Sequence, residues 1–184
     1  VIGKIGSSTA SINEIKQYEL RLGLEDSTSQ NFILNIEQIK KLSEEFKEAN
    51  QKIVFTNGCF DIIHSGHIKY LEEAKKMGDI LIIGLNSDIS VKKLKGNDRP
   101  INNQNDRAYV LASLKIVDYV VIFNEKTPYE LIKAVQPNIL VKGGDYHNKK
   151  IVGKDIVDEI KIVSFVNGQS TSKIINKIRN ENTL

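Results

Sequence analysis

The sequence predicts an α/β fold, a doubly wound parallel five-stranded sheet with helices on both faces. From Lys52 onward, short β-branched runs alternate with longer amphipathic segments. That rhythm is produced by strand–helix–strand units with right-handed crossovers. The runs are short and rich in Ile and Val, as strands covered on both faces are. The composition also fits a single sizeable core: 184 residues, 40% hydrophobic and 27% charged, near globular averages.

The elements follow in order. Ile12, Ile15, Tyr18 and Leu22 recur at helical spacing in the N-terminal stretch. The polar patch at residues 26–31 reads as a linker, with the main domain over 32–184. Ile33, Ile36, Ile39, Leu42 and Phe46 predict an amphipathic helix ending near Ala49-Asn50. The first strand starts at Ile53 and ends at Asn57, and a helix follows over 67–77. Strands are then expected at 80–85, 119–123, 139–141 and 162–165, with helices at 104–114, 128–135, 153–159 and 171–179. The arrangement is Rossmann-like, and no internal repeat is evident.

Charge and composition exclude several functions. Twenty-six Lys and Arg against 23 Asp and Glu leave a formal +3, too small and dispersed for a nucleic-acid binder. A basic subsite for a phosphorylated small molecule fits better. The only cysteine, Cys59, rules out an internal disulfide framework and a cysteine zinc cage, and points to a reducing compartment. No apolar run approaches the roughly 20 residues that span a bilayer, and the N-terminus lacks a signal-peptide core. A cytoplasmic protein with no membrane partner is expected. Because the sequence opens on Val1, it reads as a piece beginning inside a longer product.

In a doubly wound sheet, ligands sit at the carboxyl ends of the strands beside the point where strand order reverses. Four polar clusters fall there: 56–67, 86–99, 142–146 and 167–172. The strongest is Thr56-Asn57-Gly58-Cys59-Phe60-Asp61-Ile62-Ile63-His64-Ser65-Gly66-His67. Gly58 lets backbone approach a ligand, and Gly66 lies at the entry to a helix whose first amides form an anion site. His64 and His67 are three apart and share a face if the helix starts at or just before His64. Two imidazoles there can donate to phosphate oxygens and meet charge developing in phosphoryl or nucleotidyl transfer. A solvated histidine beside a structural one is the bland alternative. A shared zinc ion is another, with Asp61 as its sole evident third ligand.

The stretch 55–70 resembles the cytidylyltransferase-like nucleotidyltransferases, whose signature His-x-Gly-His matches His64 to His67. Thr56 to Asp61, Asn86-Ser87-Asp88, Leu94-Lys95-Gly96, Arg99-Pro100 and Val141-Lys142-Gly143-Gly144-Asp145-Tyr146 more closely resemble the bacterial heptose 1-phosphate adenylyltransferases. The likeness covers roughly residues 30–180. It implies that ATP and D-glycero-β-D-manno-heptose 1-phosphate give ADP-heptose and pyrophosphate, for lipopolysaccharide core assembly.

The resemblance implies roles for individual residues. His64, His67 and Lys95 are the catalytic candidates, with Lys92 and Lys93 as neighbours in a basic loop. Asn57, Gly58, Cys59, Phe60, Gly66, Asn86 and Asp88 are expected on the nucleotide. So are Lys142, Gly143 and Asp145, where paired glycines allow close approach and the carboxylate offers an acceptor. Ser170 and Thr171 open the last helix, as N-cap or phosphate contact. Asp61, Lys93, Arg99 and Arg107 are candidates for the substrate phosphate, although Arg107 could instead form a surface pair with Asp106. His147 reads as an exposed loop residue. Mg²⁺ would be held mainly by substrate phosphates.

Related glycerol-phosphate cytidylyltransferases carry Arg-Thr-Glu-Gly-Ile-Ser-Thr where this chain has Phe165-Val166-Asn167-Gly168-Gln169-Ser170-Thr171. The missing arginine favours ATP over CTP. Residues 1–25 resemble the end of a ribokinase-type sugar kinase domain, so a covalently linked kinase and a homodimer are expected. Transfer of a cytidylyl group to glycerol 3-phosphate, or ATP binding without turnover, are the alternatives.

Overall fold

The structure is a computed structural model and describes residues 28–144, 151–163 and 171–181. The chain divides into two compact units, Val1–Asn31 and Phe32–Leu184. The expected tail helix over Ile12 to Leu22 lies outside the described residues.

In the second unit six parallel strands form one sheet in the order β1-β4-β3-β2-β5-β6. They are β1 (Ile33–Leu34), β2 (Ile53–Gly58), β3 (Ile80–Asn86), β4 (Tyr119–Phe123), β5 (Ile139–Gly143) and β6 (Glu159–Val163). Among the described residues α-helices α1 (Ile36–Glu48), α2 (Ser65–Lys75), α3 (Asp88–Lys95), α4 (Gln104–Ala112), α5 (Tyr129–Val135) and α6 (Thr171–Glu181) accompany them.

The strands alternate their side chains between two cores, as a sheet covered on both faces must. Val54, Leu81, Ile83 and Leu85 pack with Leu71 of α2 and Leu111 of α4. Ile53, Phe55, Ile80 and Ile82 pack on the other face with Ile39 and Phe46 of α1 and Leu131, Ile132 and Val135 of α5. β3 is buried at all seven positions. Strand order reverses between β2 and β5, because the chain leaves β2 toward β3 and β4 on one side and returns to β5 and β6 on the other. The α/β, doubly wound expectation holds.

Four details differ from the sequence reading. A sixth strand exists, because Ile33 and Leu34 pair with Val120 and Val121 of β4 and do not open the helix. The helix starts at Ile36 behind a capping box: Asn35 Oδ1 accepts from Gln38 N, and Gln38 Oε1 accepts from Asn35 N. The basic loop after β3 is instead helix α3, capped by the Ser87 hydroxyl accepting from Ser90 N. Residues 153–159 form turns leading into β6, not a helix, and β6 begins at Glu159. Gly153 there has a φ of 88°, which a helix does not accommodate.

Candidate active site

β2 delivers Thr56, Asn57 and Gly58 to the carboxyl edge of the sheet, and the chain then turns through Cys59 to Ile63 before entering α2. Phe60 takes a φ of 44°, left-handed for a non-glycine residue, and is nonetheless buried. Its ring packs on His67 with centroids 5.3 Å apart. A Cβ on Gly58 would stand 3.0 Å from that ring, so Gly58 is small to seat Phe60 under the histidine.

His64 is the N-cap of α2 in extended backbone, and no side chain caps that helix. His64 and His67 stack with ring centroids 3.9 Å apart, the shared face that the three-residue spacing requires. Both Nδ1 atoms are buried without a hydrogen-bond partner. Burial, and then the neighbouring imidazole, pull the His67 pKa down to about 4. Burial lowers that of His64 as well. Both rings are therefore neutral near pH 7 and each keeps one N–H to donate. An uncapped helix N-terminus with two imidazoles beside it can donate hydrogen bonds to an anion.

Around this pair stands a frame of fully engaged groups. Asp61 is buried, and its carboxylate accepts from Arg99 Nε at 2.6 Å, Ile101 N at 2.8 Å and Asn102 N at 2.9 Å. Burial pushes its pKa up, but the Asn102 and Ile101 amides and Arg99 outweigh it and hold the carboxyl below the usual range. Asp61 thus braces the loop after α3 and presents no free oxygen pair to a phosphate or a zinc ion. Arg99 gives Nε alone to this carboxylate.

Arg107 departs furthest from its expected place. It is 2% exposed, and Asp106 pairs with Asn103 instead. The Arg107 guanidinium donates to Asn102 O at 2.9 Å, Cys59 O at 2.5 Å, Asn86 O at 2.9 Å and Asp88 Oδ1 at 2.7 Å. It pins the ends of β2 and β3 from beneath, and four of its five N–H groups face protein. Asn86 and Asp88 belong to the same frame: Asn86 Nδ2 donates to Ser90 Oγ, and Asp88 N to Gln104 Oε1.

Lys92, Lys93 and Lys95 are exposed on the last turn of α3, which Gly96 ends at a φ of 98°. The Cys59 thiol is half-buried. Burial raises its pKa, while the charges of Lys95, Arg107 and Arg99 oppose the rise. Lys95 therefore lies within electrostatic reach of the β2–α2 loop. Across the strand reversal, buried Lys142 donates from Nζ to Asn57 Oδ1, and Gly143 ends β5. The Thr171 hydroxyl donates to Ile62 O at 3.2 Å, bringing the start of α6 to the histidine loop. Asp145, His147, Gly168 and Ser170 lie outside the described residues. The sequence reading missed the Thr56–Tyr70 contact at 2.6 Å and the bond from Tyr70 Oη to Val141 O. No local pattern marks a tyrosine whose partners are 14 and 71 residues away.

Residues 55–182 match the family described as Cytidylyltransferase-like. The chain is 59% identical over 179 residues to Bifunctional protein HldE of Aliarcobacter butzleri and 55% identical to that of Nitratiruptor sp.. These matches cover 97% of this chain but 37% and 38% of those proteins. The chain thus spans a little over a third of the length of the curated relatives it matches. Among solved structures, a lipopolysaccharide core biosynthesis protein from Thermoplasma volcanium is similar with a TM-score of 0.53 and 31% identity, covering 65% of this chain and 99% of that one. A pantoate-beta-alanine ligase from Francisella tularensis shares the fold, with a TM-score of 0.57 and 20% identity over 80% of this chain and 77% of that one.

Proposed function

We propose a function from one premise: the chain belongs to the cytidylyltransferase-like family. It is a nucleotidyltransferase that joins ATP and D-glycero-β-D-manno-heptose 1-phosphate to give ADP-heptose and pyrophosphate. The observation that carries the reaction class is the stacked His64–His67 pair, both Nδ1 atoms unpartnered, at an uncapped helix N-terminus on the carboxyl edge of the sheet. The departure from the cytidylyltransferase pattern before Thr171 favours ATP. Similarity to a lipopolysaccharide core biosynthesis protein supports the sugar.

In this reading an oxygen of the sugar 1-phosphate attacks the α-phosphorus of ATP in line. The new P–O bond forms as the bond to the bridging α–β oxygen breaks, and pyrophosphate leaves with that electron pair. The nucleophile is already an anion, so no general base is required. The protein contributes position and charge. His64 and His67, neutral in the free protein, donate to phosphate oxygens, and the first amides of α2 add their dipoles. Lys95 neutralises charge arriving on the leaving group, with Lys93 as a second cation for the substrate phosphate. Lys142, Gly143 and Asn57 line the nucleotide side, and Thr171 orders α6 against the loop. Asp61 and Arg107 hold these groups in place, and Arg99, which gives Asp61 its Nε, offers its two terminal nitrogens to the substrate phosphate.

Among the described residues no cluster of three His, Cys, Asp or Glu side chains could hold a metal ion. In this reading Mg²⁺ would be held mainly by the substrate phosphates. Such an ion would neutralise phosphate charge. The chain acts as the adenylyltransferase part of a longer bifunctional protein with a sugar kinase domain ahead of it, as a homodimer in the cytoplasm. No described helix is long and apolar enough to cross a membrane.

A panel of ATP, CTP, GTP and UTP against heptose 1-phosphate and glycerol 3-phosphate, read by pyrophosphate release, tests the assignment. ATP with heptose 1-phosphate should be preferred. A preference for CTP with glycerol 3-phosphate would overturn the substrates, and no pyrophosphate from any pair would leave a nucleotide-binding module.

A further inference from the structure

β2 and β5 are paired at only two register positions, Val54↔Ile139 and Phe55↔Leu140. Beyond these each strand continues with its outer neighbour, β2 with β3 to Gly58↔Leu85 and β5 with β6 to Gly143↔Val163. The two strands part as they near the carboxyl edge, where the strand order reverses and a crevice for ligand opens. Inside the parting, backbone groups no longer meet, and side chains make the connections.

Tyr70 of α2 makes the deeper one. Its hydroxyl donates to Val141 O at 3.1 Å and lies 2.6 Å from the Thr56 hydroxyl, which is fully buried. A phenol has one proton, so with it directed at Val141 the Thr56 hydroxyl donates to Tyr70. One residue nearer the edge, Lys142 Nζ donates to Asn57 Oδ1. Tyr70 is also three residues beyond His67 and six beyond His64, on the same row of α2. One helix therefore holds the imidazoles at the mouth of the crevice and a phenol at its root. The Val141 carbonyl that the phenol grips belongs to the peptide leading into Lys142 and Gly143.

We propose that Tyr70 is a positioning residue: its bond to Val141 O fixes the separation between the histidine row of α2 and the Lys142–Gly143 edge of β5, and so the fit of the nucleotide between them. This rests on the nucleotidyltransferase reading. A phenylalanine would fill the same space, but only the hydroxyl sets the tilt of that peptide.

Tyr70→Phe and Thr56→Val each delete one buried hydroxyl while keeping shape, so both lower the melting temperature. They differ in what they leave at Val141. Tyr70→Phe should raise KM for ATP, and the Kd from calorimetric titration, by about three- to tenfold, with kcat within about twofold. Thr56→Val leaves the Tyr70–Val141 bond in place and should keep both constants within about twofold of wild type. Equal shifts in the two variants, an unshifted Tyr70→Phe, a fall in kcat at constant KM, or a Tyr70→Phe protein that does not fold would each overturn the proposal. A wild-type chain that neither binds ATP nor releases pyrophosphate overturns the nucleotidyltransferase reading itself, and this proposal with it.

Discussion

Asp61 and Arg107 are closed inside the protein's own hydrogen bonds, whereas His64 and His67, three and six residues beyond Asp61, hold buried nitrogens that bond to nothing in the protein. Asp61 and the two histidines come from one short stretch of polar sequence, and Arg107 reaches the same edge of the sheet from α4. In the proposed function this difference separates the groups that hold the site from those that act in it. A guanidinium that has committed four of its five N–H groups to carbonyls and a carboxylate has one left for a phosphate. An imidazole left unsatisfied beside an uncapped helix carries a cost that substrate can repay.

Substitutions on the two sides should therefore fail in different ways. The largest stability loss is expected from Arg107→Ala, which orphans three carbonyls and the Asp88 carboxylate around a buried hole. Unfolding in urea should show about 3 kcal/mol or more lost. A folded, equally stable Arg107→Ala protein that had lost only phosphate affinity would return Arg107 to the substrate side. Asp61→Asn is next, at about 2 kcal/mol, because the amide cannot accept from Arg99 and two backbone amides as a carboxylate does. Denaturant midpoints with unchanged slope would measure it.

How far the sequence alone reached differs between the same two regions. The strand–glycine–helix placement of 56–67 was legible because apolar runs, Gly58 and the three-residue histidine spacing are all local signals. The identity of the frame was not. Arg107 sits beside Asp106 in sequence and reads as a phosphate contact or a surface pair, yet apart from the nearby Asn102 its partners lie at Cys59, Asn86 and Asp88, brought near by the parallel crossovers. Helix α3 hid behind the lysines at its end, although Ser87 stood in the sequence as its N-cap. Ile33 fitted a helical period with Ile36 and Ile39 by coincidence. The Asn35–Gln38 capping box was the signal that set the true start.

The smallest effect expected is a pH dependence, and it too divides by region. The folded-state pKa of His67 is depressed to about 4, and that of His64 is lowered. Protonation therefore favours the unfolded chain, in which histidine titrates near 6.5. Their contribution is present above about pH 6.5 and is lost as pH falls toward 4. The lowered Asp61 carboxyl contributes above about pH 4 and loses its share only below that. Melting temperature should decline from pH 6.5 to 4.5 in the wild type and less steeply in His67→Asn. Parallel slopes would place the pH sensitivity elsewhere.

The division between holding and acting groups is tested most directly by measuring kcat and unfolding free energy on one preparation of His67→Ala. The structure predicts pyrophosphate release slowed by about 100-fold or more, with stability within about 1 kcal/mol of the wild type. Turnover within threefold of wild type, or a stability loss as large as that of Arg107→Ala, would contradict it and place His67 in the frame.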